Sequence, residues 1–169
     1  NLVDGSENTA IGANAGYYVG GSENTAIGSD ALYGSTANTS SRNTAIGYRS
    51  LFSNSTGHYN VAVGWQSMVD NTTGIGNVAL GMSALRYNTT GSDNVAIGQR
   101  ALDNNSTGGL NTALGYFAGN ANTTGSNNVF IGNAAGNNDS GGHTGHTGTD
   151  SYKLYIATDS KYLISGDFS

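Results

Sequence analysis

The sequence predicts an all-β fold, a parallel β-roll (a β-solenoid) of about eight coils followed by a short β-hairpin. Three observations carry that expectation. The octapeptide GSENTAIG occurs twice, at Gly5–Gly12 and Gly21–Gly28. Variants of its core, Asn-x-Ala-(Ile/Val/Leu)-Gly, then recur at a period near 17 as far as Gly132. A coil of that length is too short for a strand, a crossover helix and a turn, but it suffices for two short strands and two tight corners.

Eight copies follow one another: Asn8–Gly12, Asn24–Gly28, Asn43–Gly47, Asn60–Gly64, Asn77–Gly81, Asn94–Gly98, Asn111–Gly115 and Asn128–Gly132. The step between copies is 16, then 19, then 17 throughout. A Gly stands three residues before the Asn in every copy but the third, which has Ser40. A small residue follows the closing Gly by three positions, from Ala15 to Ala135, and Leu32, Leu51, Met68, Leu85 and Leu102 come next in five coils. Polar turns NSTG or NTTG occupy 54–57, 71–74, 88–91, 105–108 and 122–125. The β-branched Thr, Val and Ile suit strands, while Gly and Asn suit the left-handed conformations of corners. Coils stacked about 4.7–4.9 Å apart make the roll roughly 38 Å long, and the repeated Asn predicts an amide ladder along it. In the last copy Phe130 replaces Ala, which predicts a widened eighth coil plugged by that ring. Residues 1–137 thus read as the roll and 138–150 as a Gly/His/Thr-rich linker. Residues 151–169 read as a hairpin of Tyr152–Ala157 and Lys161–Asp167, joined at Asp159-Ser160.

Side chains alternate along a strand, so Asn, Ala and Gly of the motif share one face and its β-branched residues the other. The first face is small enough for the inside of a thin roll. The second carries Ile11, Ile27, Ile46, Val63, Leu80, Ile97, Leu114 and Ile131, with Thr9, Thr25, Thr44 and Val61 beginning a parallel column. Such a stripe either lines the roll or is buried against other chains. Few large apolar residues occur elsewhere, which favours burial between chains and an obligate oligomer.

Composition excludes several classes. There is no Cys, hence no disulfide framework or thiolate metal site. Six Lys and Arg against eleven Asp and Glu, a net charge of −5, offer no basic patch for nucleic acid. No run approaches the length of a membrane span, so membrane insertion is not expected. No signal-peptide pattern opens the chain, and with Asn1 so close to the repeat it reads as part of a longer protein.

NTAIG and NVAIG followed by Gly-x-x-(Ala/Ser) resemble the head repeats of trimeric autotransporter adhesins of the YadA type, over residues 5–137. That resemblance implies a left-handed parallel β-roll three chains wide, with the apolar stripe on the inner face of a homotrimer. The period here is longer, by the added Asn-Thr-Thr-Gly turn. The segment YKLYIATDSKYLISGDFS (152–169) is similar to a module that follows such repeats in phage tail fibres. Together they imply an extracellular trimeric fibre for host or surface attachment, a virion tail fibre foremost and a bacterial adhesin head as the alternative. The partner such a fibre meets is a cell-surface glycan or protein.

Candidate sites are sparse. His143 and His146, three apart in a Gly/Thr loop, could converge from three chains on a transition metal; an exposed linker without cofactor is the favoured reading. Tyr48, Trp65 and Tyr116 follow the motif Gly and form either an outer platform for sugar rings or a packing surface for a neighbouring chain. The Asn-x-Ser/Thr sequences, such as Asn71–Thr73, match glycosylation acceptors but read more simply as turns. No catalytic set stands out: the acids are scattered and His58 is isolated in the sequence, so no enzyme is expected. Two further classes remain for comparison, an ice-binding solenoid built on recurrent Thr and a polysaccharide-degrading tailspike, which needs a pair of carboxylates.

Overall fold

The structure is a computed structural model of the chain and describes residues 5–35, 38–137, 147–158 and 161–167. One three-residue strand forms at each motif: β1 (Thr9–Ile11), β2 (Thr25–Ile27), β3 (Thr44–Ile46), β4 (Val61–Val63), β5 (Val78–Leu80), β6 (Val95–Ile97), β7 (Thr112–Leu114) and β8 (Val129–Ile131). Each pairs in parallel with the next, motif residue against motif residue, so Ala45 lies beside Ala62 and Ala62 beside Ala79. β9 (Lys153–Thr158) continues the parallel series against β8, and β10 (Lys161–Asp167) folds back antiparallel on β9. The sheet therefore runs in chain order, and its parallel part winds a β-solenoid of about seven turns between β1 and β8. No helix occurs among the described residues.

Each coil has one strand, where two were expected. The opposite wall cannot be a strand because its residues alternate in hand. In the coil from Asn60, Gln66 and Met68 lie at φ 53° and 52° on either side of Ser67. The wall is still bonded to its neighbours: the Gln66 N–H donates to the Tyr48 carbonyl, and that of Met68 to the Ala84 carbonyl, both at 2.9 Å. Nor do Gly and Asn alone supply the left-handed positions. Leu32, Leu51, Met68, Leu85 and Leu102 all have φ between 45° and 52°. That conformation costs roughly 1–2 kcal/mol per residue. Full burial of each of these side chains offsets it, contributing about 1.5–3 kcal/mol. Among the described residues no Val, Ile or Thr stands at positive φ, as expected for side chains branched at Cβ.

The interior is narrow and layered. Ala45, Ala62, Ala79, Ala96 and Ala113 are fully buried beneath the strands, facing the Leu/Met column. The expected amide ladder is present. The Asn77 backbone N–H donates to Asn60 Oδ1 (2.9 Å), and Asn94 repeats the bond to Asn77 Oδ1 (3.0 Å). A second ladder runs through the turn residues, with Asn88 Nδ2 donating to Asn71 Oδ1 (2.9 Å) and Asn105 Nδ2 to Asn88 Oδ1 (3.0 Å). The two ladders meet at one carbonyl in each coil that carries an NSTG or NTTG turn: Gly91 O accepts from both Asn77 Nδ2 and Asn88 Nδ2 at 2.9 Å. The motif Gly closes the strand where coils approach most tightly. A Cβ on Gly64, at φ 137°, would lie 2.5 Å from the Gly81 carbonyl oxygen.

Phe130 is buried as expected, but it does not end the stack, because β9 continues beyond it. Two glycines make its space, since the Leu/Met column gives way to Gly119 and Gly136 around it. A Cβ on Gly119 would fall 2.7 Å from Phe130 Cδ2, and one on Gly136 would fall 2.3 Å from Cδ1. The ring thus fills volume that leucines fill elsewhere. It is covered in turn by Tyr155 of β9, stacked at 5.3 Å and 1° between planes. Phe130→Ala should cost about 3–5 kcal/mol. Adding Gly119→Leu should recover part of that loss, because the column already accepts leucine in the same left-handed conformation. Urea denaturation of the single and double variants checks this; a double variant less stable than Phe130→Ala would contradict the exchange.

Candidate functional site

With Asn and Ala turned inward, every variable column of the coil is turned out. The contrast within β7 fixes the orientation: Ala113 is fully buried while Leu114 is 47% exposed. Ile11, Ile97 and Ile131 are exposed like Leu114, and Ile27, Ile46, Val63 and Leu80 are half-buried. The stripe does not end at the strands. Tyr48, Trp65, Met82 and Tyr116, just after the motif Gly, are exposed beyond one margin. Tyr59, Ile75 and Leu110, just before the motif Asn, are exposed beyond the other. The single chain therefore presents one apolar face several columns wide.

Of the expected aromatic platform, the structure brings two members together. Tyr48 and Trp65 stack in adjacent coils, centroids 6.4 Å apart and planes 23° apart. Tyr116 stands three coils further on, beyond Met82 and Gln99, and packs against Phe117 at 4.4 Å. Arg49 is not free to serve the platform, since its guanidinium lies over the Phe52 ring at 4.2 Å. The other three arginines also lie over rings: Arg42 over Tyr59, Arg86 over Tyr87 and Arg100 over Phe117. His143 and His146 fall outside the described residues. Among the described residues no group of three His, Cys, Asp or Glu is placed to hold a metal. The glycosylation-like asparagines Asn54, Asn71, Asn88, Asn105 and Asn122 are fully buried in the second ladder, out of reach of any modifying enzyme.

A second feature was not anticipated. Ser22, Glu23, Ser41, Arg42, His58 and Tyr59 line a groove of about 470 Å³. They are the two residues before the motif Asn in three successive coils, so His58, isolated in the sequence, has neighbours from the coil below. Arg42 organises the groove. Its Nε and Nη2 donate to Glu23 Oε2 and Oε1 at 3.0 and 3.1 Å, and its Nη1 donates to the Tyr59 hydroxyl at 2.6 Å. This paired guanidinium holds the Glu23 carboxyl below the ordinary glutamate range. The first of the two columns is a serine column, in which each Oγ accepts an N–H from the coil below: Ser22 N–H donates to Ser41 Oγ (3.0 Å) and Ile75 N–H to Ser92 Oγ (3.0 Å). His58 takes a serine's place, its Nδ1 accepting the Ser41 N–H at 3.0 Å. The signal was available in the sequence: aligned on the motif, the column before Asn changes from Glu23 to Arg42 to Tyr59, while His58 breaks a column that is Ser in most copies.

No family model, no curated protein and no solved structure matches the chain. Among the described residues no helix is long and apolar enough to cross a membrane.

The Glu23–Arg42 pair has a pH signature. A carboxyl whose folded pKa is depressed contributes above its unfolded pKa, and the contribution fades as pH falls through the folded value. Glu23 should therefore titrate below ordinary glutamates in an NMR titration of side-chain carboxyl carbons. Arg42→Ala should return it to the ordinary range. An unchanged Glu23 titration in that variant would contradict the pairing.

Proposed function

We propose that this chain is a structural segment of a homotrimeric extracellular fibre that serves host or surface attachment. One observation carries the reading: a roll whose interior takes only one Leu or Met side chain per coil turns its strand aliphatic residues outward as a continuous apolar face. A face of that kind is covered in a stable protein, and a second and third copy around one axis cover its strand columns, with the column of Tyr59 left at the open margin. The resemblance of the repeats to trimeric adhesin heads supports the number three. The resemblance of residues 152–169 to a tail-fibre module favours a virion tail fibre over a bacterial adhesin head.

The competing classes fit less well. An ice-binding array needs flat exposed threonines, but the column runs Thr9, Thr25, Thr44 and then Val61, Val78, Val95. A glycan-cleaving tailspike needs two carboxylates across a scissile bond, and the described groove contains one, Glu23, already held by Arg42. The role proposed is one of shape and binding.

Sedimentation equilibrium tests the assembly. The chain should sediment as a trimer across the accessible concentrations, and a folded, soluble monomer would overturn the proposal. Ile97→Asp should abolish the trimer, because it places three unpaired carboxylates around one axis, where a buried uncompensated charge costs about 3–5 kcal/mol.

A further inference from the structure

We propose that the groove formed by Glu23, Arg42, His58 and Tyr59 binds a neutral pyranose. This deepens the attachment reading and rests on it, by assigning a class of receptor group to a particular place on the roll. The volume of about 470 Å³ is of the size that small-ligand sites occupy, roughly 300–1,000 Å³.

The hydrogen-bond inventory decides the ligand class. All three nitrogens of Arg42 already donate within the protein, two to Glu23 and one to Tyr59. Glu23 already holds the Nε–Nη2 edge in a bidentate pair, so of the five N–H donors one on each Nη remains, and the charge they carry is already matched. The pair is also neutral overall, so the groove offers an anion no net attraction. What remains suits hydroxyl groups. The Tyr59 oxygen accepts from Arg42, which leaves its own proton to donate. The Ser41 hydroxyl accepts the Ser22 N–H and likewise retains its proton. His58 accepts at Nδ1, so its neutral ring carries the proton on Nε2. Each Glu23 oxygen accepts one bond from Arg42 and keeps further lone-pair capacity. Beside this alternation of donors and acceptors, Tyr59 is 55% exposed and supplies an aromatic surface for the C–H face of a sugar ring.

The placement is particular to these coils. In the next coil the same two columns hold Ile75 and Gly76, and two coils later Gly109 and Leu110, so the polar set is not a property of the repeat. A trimer would carry three such grooves, and weak binding to each sugar would be multiplied by simultaneous engagement.

Saturation-transfer NMR on the full chain tests the proposal. The probes are methyl β-D-glucopyranoside, methyl β-D-galactopyranoside and methyl α-D-mannopyranoside, with N-acetylneuraminic acid as the anionic comparator. At least one neutral glycoside should receive saturation. The double variant His58→Ser/Tyr59→Phe should weaken its affinity about tenfold or more, as expected for lost hydrogen bonds. The serine restores the acceptor that Ser22, Ser41 and Ser92 already supply in this column, and the phenylalanine keeps the ring, so the fold is preserved. A separate Glu23→Gln variant should weaken binding in the same direction. Transfer to none of the neutral glycosides, transfer to the anionic sugar alone, or neutral binding untouched by these variants would overturn the proposal. Loss of binding in Trp65→Ala together with retention in the groove variants would move the sugar to the aromatic column, and would also overturn it. Sedimentation of the same samples separates the two levels: an intact trimer that binds no sugar refutes the groove and leaves the assembly standing.

Discussion

The width of the interior is the constraint from which the rest of this structure follows. Between the strand and the opposite wall there is room for one methyl from the Ala column, one Leu or Met side chain, and two amides per coil. Nothing larger fits without an equal volume being removed, as Phe130 shows by filling the space that side chains at 119 and 136, both glycine, would otherwise take. Coils held so close must also satisfy their polar groups within the stack. The converging asparagine ladders do this by sending two amides to one glycine carbonyl in the coils that carry an NSTG or NTTG turn. The same narrowness leaves the β-branched residues no place but outside. Interior economy and exterior hydrophobicity are one fact seen from two sides.

Much of this was legible in the sequence. The period, the strand positions, their parallel register and the inward turn of Asn and Ala all follow from a motif whose columns keep one chemistry from copy to copy. Other features were not. The opposite wall was expected to be a strand because a coil of this length has room for two, whereas left-handed residues at positions such as Gln66 and Met68 curl it. Hydrophobic pattern does not report the sign of φ. The NTTG asparagines read as turn residues, and nothing in that reading placed Asn71 and Asn88 in the interior, where they are fully buried. Whether a corner residue points in or out depends on the hand of its neighbours, which composition does not reveal. The groove at Arg42 lay across three coils, and the 19-residue step inside it obscured which residues would be adjacent.

The fold separates two kinds of position. Inward columns are repeated nearly without change because each is a rung of a ladder, and altering one rung disturbs the coils on either side. The column after the motif Gly carries no such rung and varies freely, reading Tyr48, Trp65, Met82, Gln99, Tyr116 in successive coils. Specific chemistry can therefore be written on this surface one coil at a time. Glu23, Arg42 and Tyr59 occupy one such column, and their mutual bonds join neighbouring coils without involving the core.

The claim that the outward stripe is covered in the assembled protein is tested most directly by thiol accessibility. The chain has no cysteine of its own, so a single one reports cleanly. With the stripe covered by neighbouring chains, Ile97→Cys should react with a soluble thiol reagent far more slowly than Thr107→Cys, on the exposed turn. The two should become equally reactive on denaturation. Equal reactivity in the native protein would show that the stripe faces water, and would contradict its burial in an assembly.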